Sequence, residues 1–478
     1  MQSQRINMKK ALGVYVVIII LISTMPILGE ANNHEKMDKA VRERVKSGLS
    51  NIDVIIEFYE LDDSSRTLIS KEKIINELIE LNSIHAILSA DEIKNTSSSQ
   101  HVKNIWHNAG GLTLFDTVTF SSEDNIVVNG FMGADTIKAS PLYQMGYRGN
   151  GVTVAVLDTG IRGTHVEFSK ASILYQYDFV NNDLVAEDND GHGTFVSGII
   201  SGQAYTTADW AGYYDFVDTT PTNTMGVSPG SNLVILKIIE NNSGTLSDYL
   251  EACNWLIANK NTYNIRVVNM SAGWDVESMI LSGWPLNGTD PASMAANSVV
   301  DKGIMWVNAA GNSGPSTDTI GAPARAKNVI TVANAIDRTV VSNGATIIKR
   351  APITIANDSS RGGGYSGFKP DISAPGTQIL SSFIDHDYDY DLASGTSFAA
   401  PFVASSCAII IQRHPNWTPY QIKLALMRTA TPIRGASVYE QGAGLVNVNM
   451  AFLYRQDFER AAVIGKVMAI LKKNKENN

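Results

Sequence analysis

Three side chains in this chain have the types and setting to carry out nucleophilic chemistry together. Asp158 ends the apolar run 152–157 and opens Asp158-Thr159-Gly160. His192 stands between glycines in Asp190-Gly191-His192-Gly193-Thr194. Ser397 lies in Ser394-Gly395-Thr396-Ser397-Phe398-Ala399-Ala400-Pro401, ahead of an apolar run that reaches Ile411. A serine hydroxyl attacks poorly until a base takes its proton. Histidine is the usual base, and a carboxylate can fix its tautomer and stabilise its charged form. Each residue alone also has a plainer reading. Asp158 could cap a turn, His192 could sit at an ordinary helix start, and Ser397 could belong to a capped helix.

The flanking pattern places all three where functional groups gather. Residues 152–157 are apolar without alternation, as in a strand buried on both faces of a parallel sheet. Further strands are expected at 233–239, 266–270, 304–307 and 329–333. Helices are expected at 195–200, at 246–257 and after Ser397. Asp290-Pro291 and Thr418-Pro419 supply cap and first-turn signals for two more. Strand and helix alternate, so the fold class is α/β, a doubly wound parallel sheet flanked by helices. In such sheets ligands bind beyond the carboxyl ends of the strands. Ser397 is read as the first residue of its helix, at the positive end of the dipole, with Pro401 near the helix start.

The N-terminal third has a different texture. Arg5, Lys9 and Lys10 precede an apolar run over 11–28, followed by Gly29-Glu30-Ala31. Residues 1–31 read as a secretory signal, with an uncleaved membrane anchor the alternative. Residues 32–125 read as a small α+β domain. It has strands at 52–59, 112–120 and 125–129, and a helix at 71–81 where Ile74, Ile75, Leu78 and Leu81 fall at helical spacing. Residues 126–455 form the α/β domain, and 456–478 a C-terminal helix with a polar tail. The chain has 478 residues and a net charge of −9, and no domain-scale basic patch points to nucleic acid. Its two cysteines, Cys253 and Cys407, fall in apolar helical patterns and read as buried thiols.

The order Asp158, His192, Ser397 is that of the subtilisin triad. The stretches 154–161, 190–194 and 395–401 resemble the motifs of the subtilisin-like serine peptidases. Asn269-Met270-Ser271-Ala272-Gly273 and Ala309-Ala310-Gly311-Asn312-Ser313-Gly314 agree. The resemblance covers roughly 130–450 and implies a secreted serine endopeptidase made as an autoprocessed zymogen. Ser397 would be the nucleophile, His192 the base and Asp158 its orienting group. The Asn312 amide and the Ser397 N–H would hold the oxyanion. By the same resemblance, Ser271, Ala272 and Gly273 face Ala309, Ala310 and Gly311 across the specificity pocket. Ser243 and Gly244 form the edge that pairs with an extended polypeptide, with an uncharged side chain in the pocket.

Residues 32–125 would then be a propeptide acting as intramolecular inhibitor and folding aid, processed within 121–133. Phe195 and Phe402 stand where relatives commonly have histidine, and Trp274 where glycine is common. The chemistry implied needs no cofactor. Structural Ca²⁺ would suit Asp183, Glu187, Asp188 and Asp190, or Asp385, Asp387, Asp389 and Asp391; a solvated acidic loop is the simpler alternative. Competing functions are a catalytically silent peptide-binding relative, a dedicated processing protease of narrow specificity, and an esterase. The esterase would need Gly-x-Ser-x-Gly and the order Ser, Asp, His, which this chain lacks.

Overall fold

The computed structural model describes residues 36–115, 134–169, 171–203, 226–337, 339–340, 349–350, 352–387 and 389–454. The expected signal segment, the strands expected beyond residue 115 and the C-terminal tail helix lie outside these residues. Among the described residues no helix is long and apolar enough to cross a membrane.

The first unit is built from α1 (Lys39–Lys46), β1 (Ile52–Phe58), β2 (Ile74–Leu78), β3 (Ser83–Leu88), α2 (Ala90–Ser97) and β4 (Val102–His107). Its strands form one antiparallel sheet in the order β2-β3-β1-β4. Asp38 caps α1, and a Ser89–Glu92 capping box starts α2. Residues 71–81 correct the expected helix. The segment is β2 between two short 3-10 turns, and a bulge between Ile74 and Asn76 adds a residue. That extra residue spoils the alternation by which a strand is recognised. A short strand, β5 (Thr113–Leu114), then leaves this unit for the larger one.

The larger unit follows the expected alternation. It runs β6 (Thr153–Asp158), β7 (Ile173–Asp178), α3 (His192–Ser201), β8 (Asn232–Lys237), α4 (Leu246–Asn259), β9 (Ile265–Met270), β10 (Ala272–Gly273), α5 (Val276–Ser282), α6 (Pro291–Asp301), β11 (Met305–Ala309) and β12 (Ile330–Ile336). It continues through β13 (Thr354–Ile355), β14 (Ile372–Pro375), β15 (Ile379–Ser382), β16 (Tyr390–Ala393), α7 (Thr396–Arg413) and α8 (Pro419–Thr429). The main sheet has eight strands in the order β13-β12-β11-β9-β6-β8-β7, with β14 also on β12. Its pairings are parallel except that of β13 with β12.

The central strand β6 is buried along its whole length. Val154 and Val156 join the core under α3 and α7, while Ala155 and Leu157 join the core under α4 and α6. Both faces are covered, which is why the run is continuously apolar rather than alternating. Ile55, Leu78, Trp106, Ala109 and Leu112 of the N-terminal part belong to that second core as well. The register sets Asp158 beside Lys237 and Leu157 beside Met270. The strand ends therefore gather Asp158, Ser271 and Ala310 along one edge.

Candidate active site

Asp158 is the last residue of β6 and is fully buried. Its Oδ1 accepts from His192 Nδ1 at 2.7 Å and from the Thr159 backbone N–H at 2.8 Å. With Nδ1 donating to this carboxylate, Nε2 is the basic nitrogen of the ring. His192 is the first residue of α3. The glycine after it is needed for space: a Cβ on Gly193 would lie 2.2 Å from the Gly160 carbonyl oxygen. Asp188, buried beside them, ties the parts together. Its Oδ1 accepts from Thr159 Oγ1 and the Asp190 and Gly191 N–H groups, and its Oδ2 from the N–H and hydroxyl of Thr194. A carboxylate at a helix N-terminus is favoured by the dipole. Burial raises the Asp190 carboxyl above its ordinary value, against the pull of nearby His192.

Ser397 is the second residue of α7, one later than expected, because Thr396 already has helical geometry. Its hydroxyl donates to the Ser271 carbonyl at 2.7 Å, and the Ser271 hydroxyl donates to the Ser397 carbonyl at 2.7 Å. The second bond has a clear cause. Pro401 has no N–H for the carbonyl four residues back, so the Ser397 carbonyl takes a donor from outside the helix. The imidazole of His192 lies 5.4 Å, centroid to centroid, from the ring of Phe398, the next residue.

The Asn312 carboxamide is aimed by α7. Its Oδ1 accepts from both the backbone N–H and the hydroxyl of Thr396, at 3.0 Å each. Its Nδ2 donates at 2.6 Å to the carbonyl of Phe115, and the Ser397 N–H donates to the same oxygen at 3.3 Å. Two donors thus converge on one carbonyl beside the serine.

The chain leading to Phe115 lies in a slot between two edges. Ala272 and Gly273 pair antiparallel with Leu114 and Thr113. Leu112 exchanges backbone hydrogen bonds with Gly244, at 3.4 and 3.0 Å, and the Phe115 N–H donates to the Ser271 carbonyl at 3.3 Å. The Leu114 N–H donates to Asn242 Oδ1 at 3.0 Å. The Phe115 ring fills the pocket expected between the two walls. A Cβ on Gly273 would lie 2.6 Å from its Cζ, and one on Gly311 would lie 3.8 Å from it. Ala309 and Ala310 are fully buried in the wall behind.

Of the residues read from the sequence, Asp158, His192, Ser397, Asn312, Ser271, Ala272, Gly273, Ala309, Ala310, Gly311 and Gly244 meet here. Ser243 does not touch the threaded chain through its backbone, because its N–H and carbonyl close a turn on Glu240. Thr396, Asn242 and Phe115 were not singled out. Thr396 lies inside the quoted serine motif, which is the signal that could have found it. The slot is filled by 112–115, ahead of the 121–133 stretch expected for processing.

The remaining sequence expectations are also placed. The rings of Phe195 and Phe398 pack at 4.6 Å and Phe402 is buried, so the expected histidine replacements act in packing. The acidic runs make local contacts. Asp387 pairs with Arg162 and Thr164, Asp389 accepts from His386, and Asp188 is committed as above. Among the described residues no group of three or more His, Cys, Asp or Glu gathers as a metal centre requires. Cys253 and Cys407 are buried free thiols, and burial pushes both well above their ordinary pKa, which keeps them unreactive.

Comparison with known proteins agrees with this geometry. The family model described as Subtilase family matches residues 149–444. The chain is 29% identical over 436 residues to the thermostable alkaline protease of Halalkalibacterium halodurans, covering 91% of this chain and 98% of that one. It is 32% identical over 369 residues to serine protease AprX of Bacillus subtilis, covering 73% and 74%. It is 30% identical over 325 residues to subtilisin E of Bacillus subtilis, covering 67% and 70%. Among solved structures, fervidolysin from Fervidobacterium pennivorans shares the fold, with a TM-score of 0.62 at 22% identity. That match covers 85% of this chain but 62% of the fervidolysin chain, less than two thirds of it.

Proposed function

The chain belongs to the subtilase family of serine peptidases, and from that premise we propose that it is a secreted endopeptidase made as a self-processing zymogen. Its substrates are extended polypeptides with an apolar, aromatic-sized side chain in the pocket of Gly273 and Gly311. In this reading the Ser397 hydroxyl turns from the Ser271 carbonyl toward His192, which takes its proton and later gives it to the leaving amine. Asp158 holds the imidazole and stabilises its charge. The oxyanion forms where the Asn312 amide and the Ser397 N–H already meet a carbonyl oxygen.

One observation carries the reading: the carbonyl between those two donors belongs to this chain's own Phe115. It supports a cut at Phe115–Asp116. That moves the end of the propeptide from residue 125 to residue 115, and the cut out of 121–133. Residues 36–115 are then an inhibitor that blocks the slot as a substrate would. Secretion rests on the charged and apolar N-terminal pattern.

The test is to express wild type and Ser397→Ala side by side and sequence the N-terminus of each band. Wild type should yield a fragment beginning at Asp116, while the variant stays uncut. If both remain whole, or both are cut alike, self-processing by Ser397 is wrong. A casein digest then tells an enzyme activated by another protease from a silent peptide binder.

A further inference from the structure

Trp274 follows the pocket strand β10 directly, yet it points away from the pocket. Its backbone is locked on Ala322, with Trp274 N–H to Ala322 O at 2.8 Å and Ala322 N–H to Trp274 O at 2.9 Å. Its ring is fully buried, 5.5 Å from Tyr249 and 5.3 Å from Trp284 between ring centres. The indole N–H is therefore a fixed donor, and an indole can only donate. It donates to the Gly110 carbonyl at 2.9 Å. Counting back from Phe115, Gly110 is the sixth residue before the carbonyl that the site holds.

The fifth residue carries a second constraint. Gly111 has φ of +86°, a conformation that side chains rarely adopt. A Cβ there would also lie 3.4 Å from Ser278 Oγ on α5 and 3.7 Å from Trp274 Cδ1. No such crowding exists at Gly110, where nothing lies within 4 Å. The chain must turn at the fifth position to bring the sixth carbonyl under the indole.

We propose that Trp274 is a specificity-determining residue of the cleft. It binds the carbonyl of the sixth residue before the scissile bond and selects chains that turn through glycine at the fifth. This rests on the peptidase reading above and extends it to substrates other than the enzyme's own chain. The recognised class is a polypeptide with at least six residues before the cut, rather than a short peptide that fills only the nearer subsites.

Three fluorogenic peptides test it on processed enzyme. One carries the Gly110–Phe115 sequence before the cut, one only Leu112–Phe115, and one the longer sequence with alanine in place of Gly111. In wild type the longer peptide should exceed the shorter by roughly fivefold in kcat/KM, the scale of one neutral hydrogen bond. Alanine at the fifth position should remove most of that gain. In Trp274→Phe the ratio of longer to shorter should fall to about one; because it is taken within one enzyme, any general loss of activity cancels. If that variant does not fold, the same ratio in wild type with the Gly110 carbonyl reduced to CH₂ replaces it. A length gain that survives both changes, or no length gain in wild type, overturns the proposal. If wild type cuts neither the longer nor the shorter peptide, the peptidase reading itself fails.

Discussion

At the scale of single residues, the Asn312 amide shows how a side chain becomes useful by being aimed. Its oxygen takes two donors from Thr396, which turns the NH₂ toward the carbonyl oxygen in the slot. The Thr396 hydroxyl also accepts from the Gly311 N–H, so one residue fixes both the amide and the pocket wall. Asn312→Ala should lower kcat on a peptide substrate by about 10²–10³-fold with little change in KM, the magnitude known for the corresponding amide of a subtilisin. Thr396→Val keeps the shape and the backbone donor but loses the hydroxyl. It should cost roughly tenfold or more in kcat, since one of the two donors to the Asn312 oxygen is removed and the buried Gly311 N–H loses its acceptor. Steady-state kinetics on the processed enzymes would check both; an unchanged kcat in Asn312→Ala would remove the amide from the oxyanion site. Asp158, His192, Ser397 and Asn312 were legible because each sits in a short local motif. Phe115 was not. Its place at the site comes from a contact 197 positions away, and no local pattern marks a residue whose carbonyl is held by such distant donors.

Elements were legible where burial wrote a simple pattern. The strand β6 showed because both its faces are covered, and α4 because Leu246, Tyr249, Leu250, Cys253, Leu256 and Ile257 line its buried side. The strand β2 was misread because its bulge mixes the periods and because Ile75 is exposed. The unusual start of α7, with an internal proline, was legible as a motif, but its reason was not. Only the structure brings the Ser271 hydroxyl to the carbonyl that Pro401 leaves without a helical donor. The start of α4 offers a prediction at this scale. Thr245 and Asp248 form a capping box there, with Thr245 Oγ1 accepting from the Asp248 N–H at 3.3 Å and Asp248 Oδ2 from the Thr245 N–H at 3.2 Å. Thr245→Ala should lower stability by about 1 kcal/mol, read by urea unfolding in the Ser397→Ala background. No change in the midpoint would mean that packing alone holds this helix end.

Across the whole molecule, the N-terminal sheet docks on α4, with an ion pair from Glu80 to Lys302 just beyond the end of α6. The sequence could not show this, since the interface is made of side chains from both units. Asn108 exchanges hydrogen bonds with Ser247, at 3.1 and 2.8 Å, and Asn254 accepts from the Glu80 N–H. The ionisable centre of the interface is His85, nearly buried, 2.7 Å from Asp53 of its own sheet and 4.0 Å from Glu251 of α4. Asn108 Nδ2 faces it at 3.5 Å, and Asp248 acts on the same group from α4. Burial works against its charge, but the hydrogen bond to Asp53 and the negative charges of Asp53 and Glu251 outweigh burial and push it up to about 9. A histidine raised in this way stabilises the docked state fully below its undocked pKa, and that contribution is lost as pH climbs through about 9. Only the Glu251 share belongs to docking, because Asp53 travels with His85. In the proposed zymogen the cleaved N-terminal unit should therefore leave faster as pH rises through about 9. Glu251→Gln removes the partner charge. It should speed release at low pH and flatten the pH profile. The measurement is the lag before activity appears, compared between wild type and variant at each pH, so that the pH dependence of catalysis is common to both. Identical profiles would mean that His85 holds its own sheet together through Asp53 and does not govern the departure of the inhibitor.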